Sequence, residues 1–406
     1  MPNIRPLKRI AGKVRDIRDS HRERHRPSGF GFALADSVEY LDAARWDSVA
    51  ENSSLFLSRR YLRVVEEVGP ENLQPRYALV FRGRDAVACV AAQSARITAA
   101  RVRKKKEGGR ASKVSAPLER IEERVLVCGN LLSWGQHGVA FARGEDPARL
   151  WPAVAEALYR LRRADRLHGE TDLVMVKDLS DAEAAEASAL GRFSYRPLET
   201  DPDMVLEISP SWRTFDDYLA SLTSKYRKTA RQIIKDVEAA GCVVEEITDV
   251  ASNQDEIHAL YMQTHEHARL RLFTLRPEYL PTLAERLGDD MRFTVVRKDG
   301  RLLGFVTTVR DNDLAVGYYI GFDRPTNAEA PLYFRLLYSV VGHAVEMNCR
   351  RLSLGRTALE PKARLGARPS PMRVLVRHRI PALNVLVRAL LRSVDHDEAP
   401  ERNPFK

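Results

Sequence analysis

Tyr318, Tyr319, His343, Glu346, Arg356, Lys362 and Gly366 fall within one stretch near the C-terminal end of the chain. A phenol can protonate a leaving thiolate, and an imidazole beside a carboxylate can take a proton from an amine. A lysine or arginine beside a tight-turning glycine can hold a phosphate or a carboxylate. Together these groups could serve acyl transfer to an amine, which needs a polarised carbonyl, a deprotonated nucleophile, a protonated leaving group and two substrates held in line. The candidate catalytic residues there are Tyr319, His343 and Glu346, the last two spaced to share a helical face. Lys362, Arg356 and Gly366 are the candidate donor-binding residues. A second group lies earlier, where Gln136 and His137 sit between Gly135 and Gly138 beside Trp134. There His137 is a candidate base, and Gln136 and Trp134 candidate substrate contacts. Arg227 and Arg231, four apart on a helix, could line a groove between the two halves of the chain, where the acceptor would bind, and grip an anionic group there.

Each candidate has a plainer reading. Tyr318 and Tyr319 alternate along a strand, so one is a core aromatic and the other half-exposed. His343 can be a packing histidine, Glu346 a surface acid, and Arg356 an exposed cap. Lys362 can be an ordinary loop lysine, Gly366 a plain turn glycine, and the 227/231 pair a solvated basic face.

The elements that would position these residues are legible from pattern. Arg292–Arg297 and Arg301–Val309 read as a hairpin about Lys298-Asp299-Gly300. Leu314–Phe322 is a third strand, Pro331–Met347 a helix, Arg351–Leu354 and Met372–His378 further strands, and Ala382–Arg392 a last helix. Thr214–Ala240 reads as one long helix with an apolar stripe, ended by Gly241. The earlier half repeats the order: helices at Leu41–Ala50 and Leu55–Val68, a hairpin of Arg76–Phe81 and Ala86–Ile97, a strand at Arg124–Cys128, a loop, a helix at Asp146–Arg163, and strands at Asp172–Lys177 and Met204–Ile208. The order of elements matches between halves although the residues do not, which makes this a repeat of architecture.

That order resembles the GNAT acyltransferase fold, and the residues resemble its double-domain group, which includes FemAB-like aminoacyltransferases and the BioF2-like acetyltransferase domain. Three places carry the likeness: YLASLTSKYRKTARQIIKDVEAAGCVV from Tyr218 to Val244, APLYFRLLYSVVGHAVEMNCRRLSLGR from Ala330 to Arg356, and KARLGARPSP from Lys362 to Pro371. VLVCGNLLSWGQHGVAF, Val125 to Phe141, fits the matching strand and loop of the first half. The resemblance implies α/β architecture with mixed sheets, as two tandem GNAT-like domains joined by a long helix. The expected boundaries are a disordered basic tail at 1–35, a first domain at 36–210, the linking helix at 211–241, a second domain carrying the acyltransferase site at 242–395, and a tail at 396–406. It also implies acyl-CoA, with acetyl-CoA foremost, as co-substrate, and an amine acceptor from a small molecule or peptide. One departure stands out: where the family has a glycine-rich pyrophosphate loop, Arg324 to Pro331 reads RPTNAEAP, without glycine. FemAB-like relatives that take their acyl group from aminoacyl-tRNA keep open a second donor, a tRNA partner, and an aminoacyltransferase acting on a cell-wall precursor. A non-catalytic GNAT-like binding protein is the third alternative.

Whole-chain properties bound these readings. The 406 residues favour two domains, and 44% apolar content is that of a globular protein. No uninterrupted apolar run approaches the ~18 residues of a membrane span. The basic first thirty residues lack the apolar core of a secretory signal. Cys89, Cys128, Cys242 and Cys349 show no paired spacing, which points to reduced thiols and a cytoplasmic location. His265 and His267 are two apart and do not share a helical face, so no metal site is expected. Residues 1–30 carry nine Lys/Arg against three acids, and residues 101–113 seven against one, so these two segments together exceed the whole net charge of +10. They are solvated segments or contacts to a polyanion such as RNA or an anionic membrane surface, which leaves peripheral membrane contact open.

Overall fold

The computed structural model describes residues 26–51, 53–98, 122–268, 271–380, 383–384 and 402–406. The basic segments 1–25 and 101–113, and most of the helix expected at 382–392, lie outside the described residues.

Among the described residues, alternating and fully apolar runs produce thirteen strands in one continuous mixed sheet. In chain order they are β1 (Gly31–Ala35), β2 (Leu73–Arg82), β3 (Asp85–Thr98), β4 (Glu122–Cys128), β5 (Val139–Phe141), β6 (Leu173–Leu179), β7 (Arg196–Glu207), β8 (Val243–Glu246), β9 (Met291–Lys298), β10 (Arg301–Asp311), β11 (Leu314–Phe322), β12 (Arg351–Ser353) and β13 (Arg368–His378). The order across the sheet is β1-β2-β3-β4-β6-β13-β7-β12-β11-β10-β9-β8, with β5 added beside β3. Read inward from its two ends, this order is the same unit twice. Each unit is an antiparallel run of four strands, then one parallel neighbour (β4 with β6, β11 with β12), then one more strand. That last strand belongs to the opposite half. β13 lies between β6 and β7, and β7 lies between β13 and β12. The halves therefore exchange their terminal strands.

Eleven helices cover the sheet among the described residues: α1 (Ala43–Ala50), α2 (Arg59–Val68), α3 (Pro147–Ala164), α4 (Asp181–Glu186), α5 (Phe215–Ser221), α6 (Ser224–Ala239), α7 (Gln254–His265), α8 (Tyr279–Leu287), α9 (Arg324–Glu329), α10 (Leu332–Glu346) and α11 (Leu359–Arg364). Trp46, Tyr61 and Val65 from α1 and α2 share one apolar cluster with Ile257, Tyr261, Tyr279 and Leu283 from α7 and α8. The halves are thus packed against each other on that side, where a groove between them was expected. α3 covers the other face of the first half, and α5, α6 and α10 that of the second.

Three expectations are corrected. Residues 31–35, placed in the disordered tail, form β1 paired along β2, and Ser28 donates from both N and Oγ to Glu156. The single helix expected over 214–240 is two, broken at Leu222–Thr223. The freed backbone there pairs with the returning chain: Leu222 bridges Phe405, and Thr223 N donates to Pro404 O at 2.8 Å. α6 does not line a groove between halves, because it packs beside α10 on the outer face of the second half through Ala230 and Val237.

Candidate active site

β12 pairs with β11 for only three residues, from Leu314–Arg351 to Val316–Ser353. Beyond Val316 the strands part, since β12 stops at Ser353 while β11 continues to Phe322. The 129–138 loop of the first half reaches into this parting. The Trp134 indole N–H donates to Ser353 Oγ, and the Tyr319 hydroxyl donates to Leu132 O at 3.3 Å. The Trp134 ring lies over Gly355, where a Cβ would come within 3.1 Å of it, and Gly355 has φ +79°. Any side chain at 355 would lift the indole and strain the backbone.

Five charged groups gather past the strand ends. Asp178, at the end of β6, is fully buried and accepts from Gly135 N at 3.1 Å and from the Lys177 ammonium; its other oxygen pairs with Arg356. Lys177 Nζ also donates to Ser133 O at 2.7 Å. Asp203, on β7, accepts from Ser353 Oγ at 2.5 Å and from Gly355 N at 2.9 Å. Lys362, on α11, is 4% exposed, and among the described residues its ammonium makes no hydrogen bond or ion pair.

The environment moves these groups apart in protonation. Burial works against the Asp178 carboxylate, yet Lys177 and Arg356 more than offset it and hold the group below the usual carboxylate range. Burial pushes the Asp203 carboxyl up, against its bonds to Ser353 and Gly355. Burial likewise depresses Lys177. It pushes Lys362 down to about 8, with Asp203 opposing the change. With all five groups ionised, three cations face two anions. The unbonded cation is Lys362, so the cluster is set to receive one more negative charge.

The structure thus brings Trp134, Arg356 and Lys362 together, with Tyr319 bordering the same parting. Gly366, four residues past Lys362, has φ +99° and faces Phe405; a Cβ there would lie 2.3 Å from that ring. His137 and Gln136 serve the loop that carries Trp134. Gln136 Oε1 accepts from Gly138 N at 2.8 Å. His137 is buried, Nε2 donates to Trp134 O at 2.8 Å, and Nδ1 bonds Ser54 Oγ at 2.8 Å. Ser54 Oγ also donates to Asp311 at 2.9 Å. Burial lowers the His137 pKa.

The remaining candidates lie elsewhere. His343 is enclosed between α10 and the sheet, bonded to Thr294 Oγ1 at 2.8 Å and Thr308 Oγ1 at 2.9 Å, whereas Glu346 is exposed, so the two do not form an acid–base pair. Arg227 bonds the carbonyls of Ala220 and Leu222, both at 3.2 Å, which caps the end of α5. Arg231 is exposed. Tyr318 joins Tyr61 and Tyr279 in a buried hydroxyl cluster at the seam of the halves, with Asn130 donating to Tyr61.

Sequence reasoning missed Lys177, Asp178, Asp203 and Ser353. The available signal was an acid ending the apolar run LVMVKD and another opening the run DMVLEI, because aspartate is depleted in strands.

Residues 224–363 match the acetyltransferase (GNAT) domain family. That segment contains β11, β12, Arg356 and Lys362. Among solved structures, FemX aligns over 86% of this chain and 98% of its own, at 11% identity and TM-score 0.54. A tandem GNAT protein from the clavulanic acid biosynthesis pathway aligns over 87% and 99%, at 13% identity and TM-score 0.49. The C-terminal domain of a putative lysylphosphatidylglycerol synthetase from Agrobacterium fabrum aligns over 86% and 96%, at 14% identity and TM-score 0.49. No curated protein matches the chain. The FemX likeness is one of fold over most of the chain, and the family match to residues 224–363 supports acyl transfer in general terms. Among the described residues, no helix is long and apolar enough to cross a membrane.

The helix ends that could seat a pyrophosphate carry acceptors of their own. Asp323 accepts from Thr326 N at the start of α9, Asn327 Oδ1 accepts from Tyr333 N at the start of α10, and Asp146 accepts from Ala148 N at the start of α3. These amides are satisfied, and two of the three acceptors are carboxylates, which repel phosphate.

Proposed function

We propose that this chain is an N-acyltransferase whose chemistry occurs where β11 and β12 part, with an acyl-CoA as donor and a primary amine as acceptor. The observation that carries the reading is Lys362, a side chain 4% exposed whose ammonium bonds none of the described residues, inside the segment that matches the acetyltransferase family. The amine lone pair attacks the carbonyl carbon, a C–N bond forms, and the carbonyl π electrons move to oxygen. Lys362 faces that oxyanion, while Asp178 keeps Arg356 beside it. Collapse restores the C=O bond and breaks the bond to the carrier. The carrier's sulfur leaves with a proton, and the acylated nitrogen gives one up.

A second reading takes the acyl group from an aminoacyl-tRNA ester. The helix ends favour it, because Asp323 and Asn327 already occupy Thr326 N and Tyr333 N, amides that a CoA pyrophosphate would use. The experiment is turnover with acetyl-CoA, and separately with aminoacyl-tRNA, over a panel of amino-sugar, peptide and polyamine acceptors. Lys362→Met is expected to lower turnover by roughly a hundred- to a thousandfold, as removal of an oxyanion donor does. Full turnover by that variant would overturn the mechanism. If neither donor raises the melting temperature or is consumed, the chain is a binding protein of this fold.

A further inference from the structure

Residues 402–406 return to the second half far from their place in sequence. Two backbone hydrogen bonds fix them there as an antiparallel bridge between Leu222 and Phe405: Thr223 N to Pro404 O at 2.8 Å and Lys406 N to Ser221 O at 3.1 Å. These contacts satisfy the groups left open where α5 and α6 separate. Side chains add to them. Phe405 packs against Trp212 and Tyr218, with ring centroids at 5.7 and 6.3 Å, and Arg402 pairs with Glu360 of α11 at 2.9 Å.

This segment grips α11, the helix that carries Lys362, at both ends. Arg402 holds the first turn through Glu360. Phe405 presses on Gly366 just past the last turn, and the Tyr218 hydroxyl donates to Leu365 O at 3.0 Å between them. Phe405 has a second face. It lines a cleft of about 1390 Å³ that also borders Arg368 and Pro369. Gly366, in the loop that follows Lys362, lines the same cleft beside the ring.

We propose that Phe405 is a positioning residue for Lys362: with residues 402–406 it clamps α11 and so holds the lysine in its buried place. The catalytic part of this inference rests on the proposed acyl transfer; the effect on Lys362 itself does not.

The test separates the two. Trace labelling of the full chain with acetic anhydride, followed by peptide mass spectrometry across pH, reads the ionisation of Lys362 without any substrate. In the wild type, labelling should rise through about pH 8. Phe405→Ala should move that midpoint upward by about one unit or more, toward the ordinary lysine value of about 10.4, and Phe405→Tyr should restore it. Should Phe405→Ala fail to fold, Arg402→Ala loosens the same helix from the solvent side, and a smaller upward shift is expected. An unchanged midpoint in the folded variants overturns the proposal. A shifted midpoint in a chain that transfers no acyl group upholds the clamp and overturns the reaction. Where transfer is measurable, Phe405→Ala should lower kcat more than it changes KM.

Discussion

A buried lysine whose pKa is pushed down to about 8 leaves a trace in both turnover and stability. If Lys362 must be cationic to face the oxyanion, turnover falls as pH rises through about 8, and a pH–rate profile shows the loss. Stability runs the other way. Burial lowers the folded pKa, so between about 8 and 10.4 the unfolded chain binds more protons, and raising pH stabilises the folded state. Denaturant titrations of wild type and Lys362→Met should therefore diverge across that window, the wild type gaining on the order of 3 kcal/mol. Asp178 has the opposite sign. Its folded pKa is lowered, so its contribution is present at neutral pH and lost as pH falls below about 4. Asp178→Asn leaves Lys177 and Arg356 short of a buried counter-charge and should cost about 3–5 kcal/mol in urea titrations. Lys362 and Arg356 were legible because each stands near a glycine at a strand or loop end. Asp178 and Asp203 were not, because their partners Arg356, Ser353 and Gly355 are brought to them only by strand pairing.

Among the elements, α10 and the β9–β10 hairpin came directly from pattern. The hairpin turn has φ 51° at Asp299 and 78° at Gly300, the positive values that an Asp-Gly pair supplies. The break between α5 and α6 had no local signal. Leu222 and Thr223 are neither glycine nor proline, and only residues 402–406 explain why the backbone opens there. The same limit applies to His343. Its helical spacing from Glu346 was read correctly, but the ring turns toward Thr294 and Thr308 instead. His343→Leu should leave two buried threonine hydroxyls without that partner and cost about 1–3 kcal/mol, while kcat/KM for acyl transfer stays within twofold. Arg227→Ala removes the bonds capping α5 and should cost about 1 kcal/mol; Arg231→Ala should stay within about 0.5 kcal/mol, both read from thermal unfolding.

For the whole molecule, the repeat of architecture was visible in the order of elements, but the exchange of last strands was not. Both β7 and β13 read as ordinary strands, and pairing partners far apart in sequence have no local signature. The exchange gives a direct prediction. A fragment of residues 26–210 has no strand between β6 and β7, and a fragment of residues 211–406 has none between β12 and β13. Each fragment expressed alone should lack cooperative unfolding by circular dichroism, whereas the two expressed together should recover it. The intact chain should unfold in one transition, because the shared apolar cluster of α1, α2, α7 and α8 links the halves as well.

The exchanged strands also set a schedule for the nascent protein. β6 and β7 leave the ribosome well before residues 368–378 exist, and at roughly 5–20 residues per second the wait is on the order of 10–30 s. Through that interval both strands present unpaired N–H and C=O groups, as edges that can template pairing with other chains. Yield in the cell should depend on chaperone capacity and on the pace of translation over the second half.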